Sequence, residues 1–398
     1  MNKSYLVTVI IPTRNRQIFA YECVKYIISL DLNIQIIVTD NSDDEQLREL
    51  LSAFSDSEEL KYIYSPNRIA CIDNYELAAS MASGEFLCAI GDDDTVLPCI
   101  IDVAVWMKKN NIDAVKYSTN LNYWWPQKDT GFFDKKRRGC VWCGDVNAVA
   151  RKLDTLQGVI DLLKNGCQNY SDFDLVKSYH GLVKTSKMVE IKRRSNRFYG
   201  GCSPDIYSSV CLSLLEDICC YEIGLPFTLP GVCYLSTSSD SEKGKHSGEL
   251  KNAPQFIGMS EPYKWDNEIP PYYTVQTIWA ETAIKAIKSM HREELISQYF
   301  NKSRLYEEML SKNPMHRKQI IDLIGDGYLF YSNNCDCKRD SRLKKFFRRI
   351  KKLMKKQIMV KTGCHTIGVA ANYVWLFLKR KYKRINESTD LFINISDV

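Results

Sequence analysis

Five short apolar runs, each of the first four followed by a segment with helical spacing, occupy the first 117 residues of this 398-residue chain. The runs are rich in β-branched residues, which is typical of strands buried on both faces of a parallel sheet. Strand and helix therefore alternate as in successive βαβ units, and we predict an α/β fold. The predicted strands are residues 5–11, 34–38, 60–64, 86–90 and 114–117.

Polar residues follow each of the first four predicted strands. Because ligands of parallel sheets bind beyond the carboxyl ends of the strands, we expect these segments to converge and form a site. The sequence lacks a glycine-rich dinucleotide loop after the first strand and lacks a Walker sequence, which disfavours both of those nucleotide-binding classes. The four segments are 12–16, 40–42, 65–68 and 91–94.

Three consecutive aspartates, Asp92, Asp93 and Asp94, stand at the end of the fourth predicted strand. Carboxylates this close repel one another and raise each other's pKa, and a divalent cation offsets that repulsion. Oxygen ligands suit Mg²⁺ or Mn²⁺, which also bridge to phosphate oxygens. A single acid would be enough to cap the helix that follows, so we favour a metal site over a helix cap.

Three segments in this region resemble the family-2 glycosyltransferases of the GT-A fold: VIIPTRNR, IIVTDNS and NYELAASMASGEFLCAIGDDDTVLP. The resemblance runs in order and spacing through residues 5–117 and more loosely to about residue 240. It implies a Rossmann-like nucleotide-diphospho-sugar transferase fold with a mixed, mostly parallel sheet flanked by helices. It also implies inverting sugar transfer, of the kind that builds bacterial surface glycans.

The resemblance also implies roles for individual residues. The nucleotide sugar would be held by residues of the loops after strands one, two and four, and Asn67 after strand three is placed in the same site. The family often has Asp where this chain has Gly91, so the carboxylates at work are either Asp92 with Asp94 or Asp93 with Asp94. The nucleotide-sugar residues are Pro12, Thr13, Arg14, Asp40, Asn67, Asp92 and Asp93, and the metal ligands are Asp94, Asp92 and His246.

Asp205 is the candidate catalytic base. It lies at the start of a predicted helix over residues 203–215, where a carboxylate can take the proton from an acceptor hydroxyl, and it resembles the acceptor-side acid of the family. A simple helix-dipole acid is the alternative role. Glu216 and Asp217, at the far end of the helix, are the alternative bases. For His246, in a polar loop, the alternative to metal ligation is a solvated loop residue.

The C-terminal segment is strongly basic. Residues 335–398 hold 17 Lys and Arg against 5 Asp and Glu, a formal charge of +12, whereas residues 1–334 carry −6. Residues 342–361 have apolar side chains at helical spacing opposite a basic face, and residues 369–378 are apolar and aromatic, so we predict that residues 342–384 bind an anionic membrane surface. A bundled helix is an alternative. Nucleic acid is not expected as a partner, because no basic aromatic sheet or finger accompanies the helix.

Fifteen cysteines, two of them adjacent, and no recognisable signal peptide lead us to expect free, mostly buried thiols in a reducing cytosol. Cys140 and Cys143 with Cys335 and Cys337 lack the spacing of known zinc sites, so we do not favour a structural zinc. The expected location is the cytoplasm, at the inner face of the cell membrane. The oligomeric state is left open.

These observations predict a nucleotide-sugar-binding half (1–117), an acceptor-side half (118–260), a helical extension (261–334) and a basic membrane-associating tail (335–398). We interpret the chain as a metal-dependent glycosyltransferase that uses a nucleotide sugar, UDP-linked, and a lipid-linked or growing cell-surface glycan as acceptor. A nucleotidyltransferase is one rival, although it would require a glycine-rich loop after the first strand. The other rival is an inactive scaffold that binds polyanions or membranes, and the intact Asp92–Asp94 and Asp205 argue against it.

Overall fold

The computed structural model describes residues 4–127, 139–147, 149–235, 247–325 and 358–386, and the statements below concern these ranges. The strands are β1 (Val7–Thr13), β2 (Ile34–Asp40), β3 (Leu60–Tyr64), β4 (Phe86–Ala89), β5 (Thr95–Val96), β6 (Ala114–Tyr117), β7 (Leu121–Trp124), β8 (Cys140–Cys143), β9 (Ala150–Lys152), β10 (Leu182–Lys184), β11 (Cys220–Ile223), β12 (Thr228–Leu229), β13 (Gly231–Val232), β14 (Ser247–Glu249), β15 (Tyr272–Thr274) and β16 (Ile358–Lys361).

The helices flank these strands and follow them closely in sequence through residue 117. They are α1 (Gln17–Ser29), α2 (Gln46–Leu51), α3 (Cys71–Ser80), α4 (Ile100–Lys109), α5 (Thr155–Lys164), α6 (Thr185–Ser195), α7 (Pro204–Ser213), α8 (Val275–Ser289), α9 (Glu293–Tyr299), α10 (Lys302–Lys312), α11 (Arg317–Ile324) and α12 (Ile367–Asn386).

The central sheet has eight strands in the order β3-β2-β1-β4-β10-β6-β11-β9. Strands β3, β2, β1 and β4 are parallel neighbours, and β11 is parallel to β6. Strand β10 runs antiparallel between β4 and β6, and β9 is antiparallel to β11. The predicted α/β class with a mixed, mostly parallel sheet is therefore confirmed.

Both faces of this sheet are covered, as the continuous apolar runs predicted. Along β1, Val7, Val9 and Ile11 point into one core with α1, α4 and α12, whereas Ile10 points into a second core with α3, α7 and α8. This alternation follows from the two-residue repeat of a strand. Because both faces are packed, the polar residues that end the strands are left to form the carboxyl edge of the sheet.

The C-terminal segment departs from the sequence expectation. Residues 358–361, predicted as the end of an amphipathic helix, form β16, which pairs with β8 at the edge of a second sheet of order β13-β7-β8-β16. The helical prediction is wrong there because pairing with β8 satisfies the backbone of this segment. Residues 342–357 lie outside the ranges given above.

Helix α12 packs on the body, so the expectation that residues 369–378 lie in a membrane interface is wrong for their buried side. Gly368 meets Tyr26 of α1 so closely that a Cβ would lie 3.0 Å from the tyrosine ring. Within the ranges the structure describes, none of the helices is both long enough and apolar enough to cross a bilayer. The predicted division into four units remains a prediction. The fully buried side chains of α12 are Ile367, Ala370, Ala371, Val374 and Leu378.

Candidate functional site

Asn41, directly after β2, ties together three of the four loops that the sequence predicts to converge. Its side-chain amide donates to the carbonyl oxygens of Ser65 (2.9 Å) and Asn67 (2.7 Å) beyond β3, and its Oδ1 accepts from the Ile69 N–H at 3.0 Å. The Arg14 guanidinium, beyond β1, donates to the carbonyl oxygen of Asn41. The loops after strands one, two and three therefore form one hydrogen-bonded edge.

The fourth loop joins this edge through its aspartates. Thr13 donates from its hydroxyl to Asp92 Oδ2 at 2.7 Å. Arg16, which precedes α1, places Nη1 2.9 Å from Asp92 Oδ1 and 3.5 Å from Asp93 Oδ1. Asp92 is buried, and burial raises its pKa, although Arg16 and the Thr13 hydroxyl oppose that shift. The predicted convergence of Thr13 with the aspartate triplet is thus observed.

Asp94 is held by four donors from its own chain. Its Oδ2 accepts from the Gly91 N–H (2.7 Å) and the Tyr179 hydroxyl (2.9 Å), and it lies 3.0 Å from His180 Nε2. Its Oδ1 accepts from the Gly231 N–H at 2.7 Å. Burial alone would raise the pKa of Asp94, but the nearby His180 and these hydrogen bonds lower it. Since a carboxylate offers about four acceptor positions, little capacity is left for a metal ion.

Two glycines make this enclosure of Asp94 possible. A Cβ at position 91 would lie 2.9 Å from Asp94 Oδ2 and 3.0 Å from the Tyr179 hydroxyl, so Gly91 stands where a side chain would displace the aspartate. At position 231 a Cβ would lie 1.8 Å from the carbonyl oxygen of Asp93. The glycine at position 91, where the family often has Asp, therefore follows from the packing of Asp94.

The carboxylate of Asp93 has fewer hydrogen-bond donors around it than that of Asp94. Its Oδ2 accepts from the Cys233 N–H at 3.0 Å, and its carbonyl oxygen accepts from the Trp125 indole at 2.9 Å. Burial, followed by the charge of Asp94, raises the pKa of Asp93 to about 7. The carboxylate of Asp93 thus carries negative charge that its surroundings compensate only in part.

Asp92 and Asp93 fit a divalent cation better than Asp94 does. Asp92 Oδ1 is buried and makes an ion pair with Arg16 but no hydrogen bond, and the pKa of Asp93 is raised. Carboxylate oxygens with few hydrogen-bond donors around them suit Mg²⁺ or Mn²⁺. In the part of the chain that the structure describes, three or more His, Cys, Asp or Glu side chains are nowhere grouped as a metal site. His246, the predicted further ligand, lies outside the described residues.

His180, which sequence reasoning did not place in the site, contacts it directly. Besides Asp94, it hydrogen-bonds through Nδ1 to the Thr228 hydroxyl (2.9 Å), which in turn meets the Tyr117 hydroxyl at 2.8 Å. The backbone N–H of His180 donates to the carbonyl oxygen of Ala89 on β4, which brings the histidine to the aspartate loop. Arg16 was also missed, although it belongs to the loop that the sequence singled out.

The residues expected to hold the nucleobase lie at the same edge, and their roles remain predictions. Asp40 is fully buried; its Oδ1 accepts from the Ser42 N–H (2.8 Å) and its Oδ2 from the Tyr62 hydroxyl (2.9 Å). Pro12 is buried near the end of β1, and Asn67 is exposed at the rim.

Asp205 lies in the first turn of α7, as predicted, and is partly exposed. Its carboxylate accepts hydrogen bonds from the hydroxyls of Tyr170 and Ser203. Helix α7 is tied to the aspartate side of the site, because Ser208 hydrogen-bonds to Ser178 at 2.9 Å, one residue before Tyr179. The alternative bases Glu216 and Asp217 follow the other end of α7, about 15 Å away along the helix, where they are exposed.

Comparison with known proteins adds a family match. Residues 8–138 match the model of "Glycosyl transferase family 2". Among curated proteins no sequence matches the chain significantly.

The structural comparison finds S. aureus TarS. Residues 1–349 of TarS in complex with UDP-GlcNAc give a TM-score of 0.46 at 12% identity, covering 80% of each chain. The same TarS fragment in complex with UDP gives a TM-score of 0.43 at 11% identity, covering 98% of this chain and 94% of TarS. At these values the likeness is too weak to assign a substrate.

Proposed function

We propose that this chain transfers a sugar from a nucleotide-sugar donor to a hydroxyl group of a glycan, because residues 8–138 match the model of glycosyl transferase family 2. The observation that carries the proposal is the joining of four strand-end loops around Asp92 and Asp93 at the carboxyl edge of the sheet. Such an edge is where α/β sheets bind nucleotides.

The donor is proposed to be UDP-linked, with its base near Asp40 and its diphosphate near Asp92 and Asp93. Asp92 and Asp93 would hold a Mg²⁺ or Mn²⁺ ion, which supplies neutralisation of the leaving diphosphate when bound. Arg16 lies beside both carboxylates and is placed to contact phosphate oxygens next to them. Asp94 positions the loop through its four donors and is not proposed as a ligand.

The transfer is proposed to invert the anomeric centre, with Asp205 as the base. The Tyr170 and Ser203 hydroxyls fix the direction of the Asp205 carboxylate. Asp205 takes the proton of the acceptor hydroxyl. At the same time the oxygen of that hydroxyl bonds to the anomeric carbon of the sugar, and the nucleoside diphosphate leaves.

The acceptor is proposed to be a lipid-linked or growing cell-surface glycan, at the cytoplasmic face of a membrane. This part of the proposal rests on the formal charge of +12 in residues 335–398, which favours an anionic surface as partner.

Thermal stabilisation across a panel of nucleotide sugars tests the donor site. A ligand at 100 times its Kd stabilises the folded state by about 2.7 kcal/mol, so the right donor stands out from the others. We expect one UDP-sugar to raise the melting temperature most, and more with Mn²⁺ than with EDTA. Equal melting temperatures across the panel, at concentrations up to millimolar, would contradict the donor site.

A further inference from the structure

Strand β16 and the outer side of α12 carry exposed apolar side chains, which together are called the patch: Ile358, Met359, Val369, Tyr373 and Leu376. These side chains are 40–53% exposed, although the opposite side of α12 is buried in the core. The exposure therefore belongs to a firmly packed helix and not to a loose end. Large apolar side chains are seldom grouped on a solvent-exposed surface unless that surface binds a partner, so we expect the patch to be a binding surface.

The patch includes residues of two elements that contact each other. Val369, Tyr373 and Leu376 follow one another at helical spacing along a single face of α12. On β16, Lys361 places its ammonium 4.4 Å from the centre of the Tyr373 ring, which joins the strand to the helix. Strand β16 is the last strand of its sheet in the described part of the chain, and Ile358 and Met359 are exposed on it.

Basic side chains adjoin the patch. Lys361 and Arg380 are exposed, and Lys379 and Lys381 lie over the rings of Trp375 (5.1 Å) and Phe377 (5.8 Å). The sequence from residue 341 to residue 386 contains 15 Lys and Arg and not a single Asp or Glu. A complementary partner must therefore offer negative charge together with an apolar layer.

An anionic bilayer surface combines these two properties, since phosphate headgroups lie directly above the acyl chains. Tyrosine and lysine are also typical of side chains at that boundary. Nucleic acid would match the charge but would leave Val369 and Leu376 in water.

We propose that this patch is the surface on which the protein docks to an anionic membrane. The apolar side chains enter the boundary between headgroups and acyl chains, and Lys361 and Arg380 contact the phosphates. The docking side thus includes the outer face of α12, whose opposite face is buried in the core. The proposal concerns binding alone and is independent of the reaction.

Sedimentation of the full chain with vesicles tests the apolar part. The triple variant Val369→Ser, Tyr373→Ser, Leu376→Ser is compared with wild type on vesicles of 70% phosphatidylcholine and 30% phosphatidylglycerol. We expect its apparent affinity to fall at least 5-fold. The matched control is Val105→Ser with Val189→Ser on α4 and α6, which are 52% and 53% exposed and should leave binding unchanged.

The charged part is tested with Lys361→Glu and Arg380→Glu together, against Lys61→Glu and Lys318→Glu as exposed controls elsewhere. We expect the first pair to lower affinity at least 5-fold in 100 mM salt, with a smaller effect in 500 mM salt, because salt screens the attraction. Unchanged melting temperatures, measured for all variants, show that the fold is kept.

Three results would overturn the proposal. The first is a wild-type protein that does not bind these vesicles. The second is a triple variant that keeps its melting temperature and binds like wild type. The third is a wild-type dimer in solution that the triple variant converts to monomer, because the patch would then be covered by a second copy. None of these results bears on transfer of the sugar from its donor, which is measured separately, although the first would also count against an acceptor at a membrane.

Discussion

Asp93 and Asp94 are neighbours in the sequence, but their surroundings predict different consequences of the same change. Asp93→Asn removes a carboxylate that is proposed to hold the metal ion beside the diphosphate, so we expect turnover to fall at least ~100-fold while the melting temperature is kept. Asp94→Asn places an amide among four donors. We therefore expect it to lower the unfolding free energy by about 1–3 kcal/mol in addition to lowering turnover. Turnover and urea unfolding of both variants check this.

The contrast between the two variants matters more than either value. An Asp94→Asn variant that is as stable as wild type but loses turnover, combined with an Asp93→Asn variant that keeps full turnover, would place the metal on Asp94, as the sequence first indicated. Retention of full activity in excess EDTA would show that the reaction needs no divalent metal ion.

Asp205 is predicted to act on the acceptor and not on the donor. We expect Asp205→Asn to abolish transfer while leaving donor affinity within about 2-fold of wild type, because a base that touches only the acceptor adds nothing to donor binding. Tyr170→Phe, which removes one hydrogen bond to Asp205, should lower turnover less. Steady-state kinetics and donor titration separate these effects. A loss of donor binding as large as the loss of turnover would place Asp205 in the donor site.

The sequence predicted some residues of the site and missed others for a physical reason. Thr13 and the aspartates lie directly after buried strands, so their meeting at the sheet edge follows from local pattern and strand order. His180 reaches Asp94 because the antiparallel strand β10 inserts between β4 and β6. That insertion depends on tertiary packing about 90 residues away, and no local motif around His180 indicates it.

At the scale of elements, α12 is predicted to stabilise the fold. We expect Leu378→Ala, at a fully buried position, to lower the unfolding free energy by about 2–5 kcal/mol. Leu376→Ala, two residues earlier and 53% exposed, should change it by less than about 0.5 kcal/mol. Urea unfolding measures both. Equal effects would mean that α12 does not pack on the body as described.

Helix α8 carries a buried carboxyl group that predicts a pH dependence. Glu281 is fully buried and accepts hydrogen bonds from the Tyr263 hydroxyl (3.0 Å) and the Asp266 N–H (3.1 Å to Oε2). Burial raises its pKa from 4.5 to about 7. Between these values the folded state holds a proton that the unfolded state has lost, so stability falls as pH rises, by at most about 1.4 kcal/mol per pH unit.

Glu281→Gln should therefore flatten stability between pH 5 and pH 7, because the amide keeps an acceptor and cannot ionise. Glu293→Gln on α9, at an exposed position, is the control and should follow wild type. Melting temperature against pH measures the effect. An unchanged slope in Glu281→Gln would mean that another group causes the dependence.

The elements of the N-terminal half could be predicted because each buried strand and each amphipathic helix shows its own pattern of apolar residues in the sequence. The predicted parallel strands of the sheet are confirmed in this half. Residues 358–361 could not be predicted in the same way, since their apolar spacing fits a helix and their strand conformation comes from pairing with β8.

At the scale of the whole molecule, the proposed donor edge and the proposed membrane-docking patch come from distant parts of the sequence. The family match covers residues 8–138, whereas the patch lies in residues 358–376. Loss of one function is therefore expected to leave the other measurable, and the central claim concerns the reaction.

Identification of the nucleotide product tests that claim most directly. Full-length protein is incubated with Mn²⁺ and with the nucleotide sugar that stabilises it most, and the nucleotide released is separated by chromatography. The account predicts a nucleoside diphosphate, formed at least ~100-fold more slowly by Asp93→Asn. Release of pyrophosphate would identify a nucleotidyltransferase, and absence of product with every donor that binds would identify an inactive scaffold; either result would contradict the account.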